Sequence, residues 1–142
     1  MKNKPVGQTF LSVGLIGLLL YSAAFTQDKE QSKEDLTKLF SLCKNGKHDS
    51  VALYTVYRGT DETRKWKDTY NYDNNAEKRE VEEICKRINS NLETAPDFVF
   101  KEFKKETESE GTWYIWEIMF GEKKVYFAIL KINGKYCLGD ID

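Results

Sequence analysis

The fold is decided by the sequence GTWYIWEIMFGEKKVYFAILKINGKYCLGDID, which occupies residues 111–142. In a β-strand, successive side chains point to opposite sides, and in the first part of this sequence both sides carry apolar residues. One set is Tyr114, Trp116, Ile118 and Phe120, and the other is Trp113, Ile115 and Met119. Antiparallel sheets usually have one apolar and one solvated face. The stretch therefore predicts strands and raises the question of what covers the second face.

Turn signals divide the last part of the chain into strands. Asn133-Gly134 is a strong hairpin signal because both central residues of a type I′ turn need a positive φ. A second turn is expected at Gly121-Glu122. Residues 97–105 also alternate loosely, with Phe98 and Phe100 on one side. We predict four strands, at 97–105, 112–120, 124–132 and 135–141, in an antiparallel meander.

Three helices are predicted before the strands. Ser32-x-x-Asp35 reads as a variant capping box, and Asn45-Gly46 as a helix end. A short second helix is expected from Asp49 or Ser50 to about Tyr57, and a third from about 76 to 91. Two apolar stripes follow helical spacing: Leu36, Leu39, Phe40 and Cys43 in the first helix, and Val81, Ile84, Cys85, Ile88 and Leu92 in the third. Helices followed by strands indicate an α+β fold with the helices on one face of the sheet.

The first residues have the pattern of a secretory signal peptide. Lys2 and Lys4 precede an uncharged apolar run over residues 10–25, and Ser22-Ala23-Ala24 supplies small residues for cleavage. The run is shorter than the ~20 residues of a spanning helix. We expect a signal peptide at 1–24, cleaved near Ala24 or Thr26, and a flexible lead-in at 25–31. An exported chain, periplasmic or extracellular, follows from this; an uncleaved membrane anchor is the alternative.

Charge and composition narrow the classes of partner and cofactor. Without Lys2 and Lys4 the 22 basic residues become 20, against 23 acidic ones, so the net charge is near −3. That balance does not indicate nucleic-acid binding, or membrane binding after signal cleavage. His48 is the one histidine, and no two cysteines have zinc-site spacing. We expect no metal and no cofactor.

Three cysteines, Cys43, Cys85 and Cys137, follow the apolar run. An odd number in an exported chain leaves at least one free thiol or an intermolecular bridge. Cys43 and Cys85 both lie on core-facing stripes, so they are the pair nominated for a disulfide. The alternative is three buried thiols that act as small apolar residues.

The order of elements, the aromatic strands and the closing KINGKYCLGDID resemble the NTF2-like (cystatin-like) superfamily, in particular its small exported bacterial members. The resemblance covers about residues 32–142. It implies a cone in which a curved sheet wraps a helix, with a convex outer face that often meets a second subunit. A homodimer through the outer sheet face would then cover the second apolar set. A monomer whose aromatics cover one another is the alternative.

Enzymes of this superfamily, such as ketosteroid isomerase, use a tyrosine and a carboxylate inside the cone. Tyr54, Tyr57 and Tyr114, with Glu117 or Asp140, could supply such groups, but no local pattern assigns them. No catalytic residue is therefore predicted. An isomerase- or hydrolase-like enzyme is kept as the alternative function.

The segment from Tyr57 to Tyr72 is the strongest candidate for a binding site. It mixes aromatic and charged residues, which can clamp a flat or anionic ligand. We predict ligand contacts from Tyr57, Arg58, Trp66 and Tyr70, together with Trp116 on the sheet. A polar connector whose aromatics plug the end of the helix–sheet layer would look the same. The predicted function is an exported non-enzymatic domain that binds a small ligand or an envelope protein.

Overall fold

The computed structural model describes residues 9–142, with side chains from residue 20 onward. Lys2 and Lys4 of the predicted signal peptide lie outside the described residues. Two compact units divide the chain, one ending at Gln31 and the other covering Ser32–Asp142. The helices are α1 (Thr9–Lys44), α2 (His48–Ala52) and α3 (Asn75–Thr94), and the strands are β1 (Phe98–Glu108), β2 (Gly111–Phe120), β3 (Lys123–Ile132) and β4 (Lys135–Ile141).

Residues 25–31, expected as a flexible lead-in, are helical. The segment contains no glycine or proline, and its Gln, Lys and Glu residues are good helix formers. Over residues 9–142 no helix combines the length and apolar character that a membrane span requires. Export, the signal peptide and its cleavage site stay predictions.

The α+β class and the antiparallel sheet are confirmed. The strand order is β1-β2-β3-β4, and each predicted strand is present with slightly different bounds. Trp116 lies at the centre, opposite Phe103 on β1 and Phe127 on β3. The β3–β4 register shifts between Ala128 and Ile129. Positive φ angles at Asn133 and Gly134 fit the predicted hairpin turn.

The inner face of the sheet packs on the Ser32–Lys44 part of α1. Phe40 lies at its centre, with ring centroids 5.2 Å from Phe98 and 5.1 Å from Phe127. The inward set of β2 is buried as the alternation predicts: Tyr114, Trp116, Ile118 and Phe120. This aromatic layer is the hydrophobic core of the second unit.

The capping box predicted at Ser32-x-x-Asp35 is wrong, because α1 runs through both residues. Ser32 is buried, and its hydroxyl accepts a hydrogen bond of 2.9 Å from the indole Nε1 of Trp116. The Asp35 carboxylate accepts one of 2.9 Å from the backbone N–H of Tyr136. Both polar side chains therefore join α1 to the sheet, since buried polar groups need partners.

The second helix is shorter than predicted and ends at Ala52. Thr55 and Val56, both β-branched, instead form isolated bridges to Leu138 and Thr69. The third helix begins one residue before the predicted start, and the Asn74 side chain caps it by accepting from two backbone N–H groups.

The outer face of the sheet is covered at one end by the chain itself. Trp66 packs edge-to-face on Trp113, with ring centroids 5.5 Å apart. Both lie against a buried cluster on this face: Val56, Leu130, Ile132 and Cys137. Further along the face, Lys124 forms an ion pair with Glu117 at 3.4 Å. The segment around Trp66 thus covers part of the second apolar set of β2, and the homodimer through this face stays a prediction.

Candidate ligand-binding cleft

Arg64 organises the segment between α2 and α3. Its guanidinium forms a two-point ion pair with Glu77 on α3, at 2.7 and 3.1 Å. It also donates to Asp68 at 2.8 Å and to the backbone carbonyl of Thr69 at 2.8 Å. The same group lies over the Tyr57 ring, 4.1 Å from its centroid. One side chain therefore fixes both ends of the segment and one of its aromatic rings.

The pKa values around Arg64 follow from these contacts. The Arg64 hydrogen bonds hold the pKa of the Glu77 carboxyl below its usual 4.5 and lower that of Asp68. Burial acts in the opposite direction on both groups but is the weaker effect. Glu77 is therefore an ionised structural partner at neutral pH.

A cleft of about 580 Å³ opens between this segment, α3 and the end of β4. Its floor is aromatic and apolar: Tyr57, Tyr70, Ile84, Leu138 and Ile141. The Tyr57 and Tyr70 rings meet edge-to-face at 5.6 Å. Burial raises the pKa of the Tyr70 phenol above 10.0, so it stays protonated. The size is within the range of ligand pockets in proteins.

Charged groups lie around the apolar floor. Arg58 spans one side of the cleft, with Nη1 2.8 Å from Asp140 and 2.8 Å from the carbonyl of Gly139. Arg87, on α3, donates to the carbonyl of Ile141 at 2.6 Å. Glu80 and Glu83 lie on the same face of α3. The cleft thus combines an apolar floor with six charged residues, which are Arg58, Glu77, Glu80, Glu83, Arg87 and Asp140.

The structure brings three of the five predicted ligand residues together. Tyr57, Arg58 and Tyr70 line the cleft. Trp66 does not line the cleft, because it packs on Trp113 at the outer face of the sheet. Arg58 connects it to the cleft, since the Arg58 guanidinium lies 5.4 Å from the Trp66 ring centroid. The segment thus packs on the domain and also walls a cleft, and the binding-loop and plug hypotheses both stay predictions.

Trp116 lies in the core and outside the cleft. Only 2% of its surface is exposed, and its indole N–H is bound to Ser32. Its alternation set faces inward, where α1 covers it. We therefore drop Trp116 from the candidate site.

Several cleft residues were missed by sequence reasoning. Glu80, Glu83 and Arg87 follow one face of α3 at helical spacing, but nothing in the sequence shows that β4 lies opposite that face. The Arg64–Glu77 pair spans 13 residues and has no local signature. Arg64 and Asp68 are four residues apart, and that spacing was the available hint.

The cysteines have distinct environments. Cys43 and Cys85, the pair nominated from the apolar stripes, are joined in a disulfide with a Cα–Cα distance of 5.0 Å. Cys137 is a free, buried thiol, and burial raises its pKa to about 12. A thiol of this kind is a poor nucleophile. Among the residues that the structure describes, no group of three or more His, Cys, Asp and Glu side chains could hold a metal ion.

Comparison with protein-family models, curated proteins and solved structures gave no match for this chain. The resemblance to the NTF2-like superfamily therefore stays a prediction.

Proposed function

We propose that the chain is an exported, non-enzymatic domain that binds a small ligand in the cleft between α3 and β4. The observation that carries the proposal is the cleft of about 580 Å³, with its apolar floor and its rim of charged groups. A cleft of this size has room for a metabolite-sized molecule. The tyrosines offer stacking surface, and the rim offers charge-assisted hydrogen bonds.

Pre-organisation of the cleft supports ligand binding. Tyr57 is held by the Arg64 guanidinium on its face, and its hydroxyl accepts from the backbone N–H of Asp61 at 3.2 Å. A β-carbon at Gly59 would overlap the Tyr57 ring, so glycine permits this close approach. A site whose walls are already ordered loses less entropy when a ligand binds.

The cysteine chemistry supports export. A disulfide such as Cys43–Cys85 is rare in a reducing cytosol and common in exported domains. The apolar run and the small residues near Ala24 favour the same compartment. The proposed mature protein begins near residue 25 or 27.

We also propose the finer architecture that the resemblance implies. It consists of three N-terminal helices on a curved sheet in an NTF2-like cone, with a homodimer through the outer face. Tyr126 and Val99 are large outer-face residues that stay exposed, at 36% and 50%, and they favour a partner there.

The enzyme alternative has less support. An isomerase-like mechanism needs a carboxylate whose pKa is raised by burial. Glu77 is the buried carboxylate that lines the cleft, and its ion pair with Arg64 lowers its pKa. The cleft therefore favours binding over proton transfer.

Native mass spectrometry of the chain, purified from its exported location, tests the proposal. We expect a reproducible added mass on the wild-type protein. Glu80→Trp, at an exposed rim position, should fill the mouth of the cleft and abolish the added mass. Glu93→Trp is the matched control: it removes the same charge on the same helix, is exposed and does not line the cleft.

Two results would overturn the proposal. The first is a wild-type chain without added mass. The second is an added mass that Glu80→Trp retains as fully as Glu93→Trp does, because the bound molecule would then lie elsewhere.

A further inference from the structure

A second cleft, of about 350 Å³, adjoins the first. The two clefts share Arg87 and Ile141, so they lie end to end along α3. The second cleft has a different character, because its lining includes four basic residues and one acidic residue. They are Lys86, Arg87, Lys123 and Lys124, with Asp142.

Two of these cations have no acidic partner among the described residues. Arg87 donates to the carbonyl of Ile141 at 2.6 Å, and Lys123 donates to the side-chain carbonyl of Asn91 at 2.7 Å. Neutral acceptors orient both groups, and neither cation forms an ion pair with a described carboxylate. A guanidinium has five N–H donors, so Arg87 keeps donors for a ligand.

The remaining two lysines are paired away from the second cleft. Lys86 contacts the exposed Glu83, and Lys124 contacts Glu117, whose side chain is largely buried, each at 3.4 Å. The exposed Lys86–Glu83 pair is weak, so Lys86 can readily exchange Glu83 for an anion in the second cleft. Placing an anion between the four cations would relieve their mutual repulsion.

Charge changes sign along this face of α3. Glu80 and Glu83 line the first cleft, whereas Lys86 and Arg87 line the second. The acidic end repels an anion and the basic end attracts one. A ligand that carries one anionic group therefore has a preferred orientation, with its apolar part over Tyr57 and Tyr70.

We propose that the second cleft is an oxyanion subsite, and that the ligand of this protein is an organic molecule with a phosphate or carboxylate group bound beside Arg87 and Lys123. This inference rests on the proposed ligand site for the position of the apolar part. The oxyanion subsite itself is independent of it.

Titration of the ¹⁵N-labelled full chain with three probes tests both parts. The probes are inorganic phosphate, hexyl phosphate and hexylammonium, at constant ionic strength in a phosphate-free buffer. We expect phosphate to cause saturable shifts of the Ser90, Asn91 and Val125 amide resonances. Hexyl phosphate should bind about tenfold more tightly or better, since burying two or more methylene groups supplies that gain. Hexylammonium should bind more weakly than hexyl phosphate.

Charge-neutralising variants identify the subsite. Lys86→Gln/Lys123→Gln should weaken phosphate binding at least fivefold, since it removes two of the four cations beside the anion. Lys67→Gln/Lys104→Gln is the matched control: it removes the same charge at exposed positions that line neither cleft. In the control the phosphate affinity should stay within about twofold of wild type.

Failures of the two proposals are distinguishable. Absence of saturable phosphate binding, equal weakening in the control, or tighter binding of hexylammonium would overturn the oxyanion subsite. Equal affinities for phosphate and hexyl phosphate would instead overturn the apolar ligand site in the first cleft. Glu80→Trp, which fills that first cleft, should remove the hexyl gain and leave phosphate binding in place.

Discussion

Arg64 and Glu77 form a two-point ion pair that joins the aromatic segment to α3, with nitrogen–oxygen distances of 2.7 and 3.1 Å. Glu77 is 8% exposed, and its partner also stacks on Tyr57. The pair therefore links the stability of the domain to the shape of the cleft. Loss of either side chain should affect both.

Arg64→Gln should destabilise the protein by about 2–4 kcal/mol, because it leaves a buried carboxylate without its cation. Urea unfolding followed by circular dichroism measures the change. Arg79→Gln, on the exposed side of α3, should alter stability by less than about 0.5 kcal/mol. Equal unfolding midpoints for Arg64→Gln and wild type would contradict this role.

The same pair predicts a pH dependence. The pKa of Glu77 is lower in the folded chain than its ordinary value of 4.5. The contribution of ionised Glu77 to the free energy of unfolding is therefore fully present above about pH 4.5. It is lost as the pH falls through the pKa of Glu77 in the folded chain. Melting temperatures between pH 7 and pH 3 should fall less steeply for Glu77→Gln than for wild type. Parallel curves would show that Glu77 does not contribute.

A substitution at Trp66 discriminates between the plug and the binding-loop hypotheses. Trp66 has a positive φ of 64° and packs on Trp113 at the outer face of the sheet. Trp66→Ala should lower stability by about 1–3 kcal/mol, since it removes a half-buried aromatic. Ligand retention should change by no more than about twofold, because Trp66 does not line the cleft. Retention lost in Trp66→Ala while the melting temperature is unchanged would place the ligand against Trp66 instead.

Trp66→Gly is the matched variant for this position. Both substitutions remove the indole, but glycine adopts a positive φ without strain. Trp66→Gly should therefore be more stable than Trp66→Ala by about 1 kcal/mol. The reverse order would argue that the backbone here relaxes when the ring is removed.

The states of the three cysteines predict how many thiols per chain react with a thiol reagent. Cys137 is buried with a pKa of about 12, and the other two cysteines are in the disulfide. Ellman's reagent at pH 8 should therefore detect almost no thiol in the native protein and one per chain in denaturant. Three thiols in denaturant would contradict the disulfide.

The sheet could be predicted because its signals are local. Alternating apolar residues and the Asn133-Gly134 turn specify strands without reference to the rest of the chain. The predicted helix bounds were less accurate than the predicted strands, and the reason is physical. Ser32 and Asp35 look like a capping box, but their partners are Trp116 and Tyr136, more than 80 residues away. Such tertiary hydrogen bonds have no signature in sequence.

The residues of the candidate site that lie in one continuous segment could be predicted. Tyr57, Arg58 and Tyr70 were found because aromatic and charged residues cluster there. The α3 wall was missed because its charges look like an ordinary solvated helix face. Trp116 was misassigned because alternation tells which residues share a face and does not tell which face α1 covers.

A crystal structure of the protein purified from its exported location would test the central claim most directly. We predict electron density for a non-protein molecule in the first cleft, against Tyr57 and Tyr70, with its anionic group towards Arg87. A cleft that contains ordered water alone, in a chain of the expected bare mass, would contradict the account.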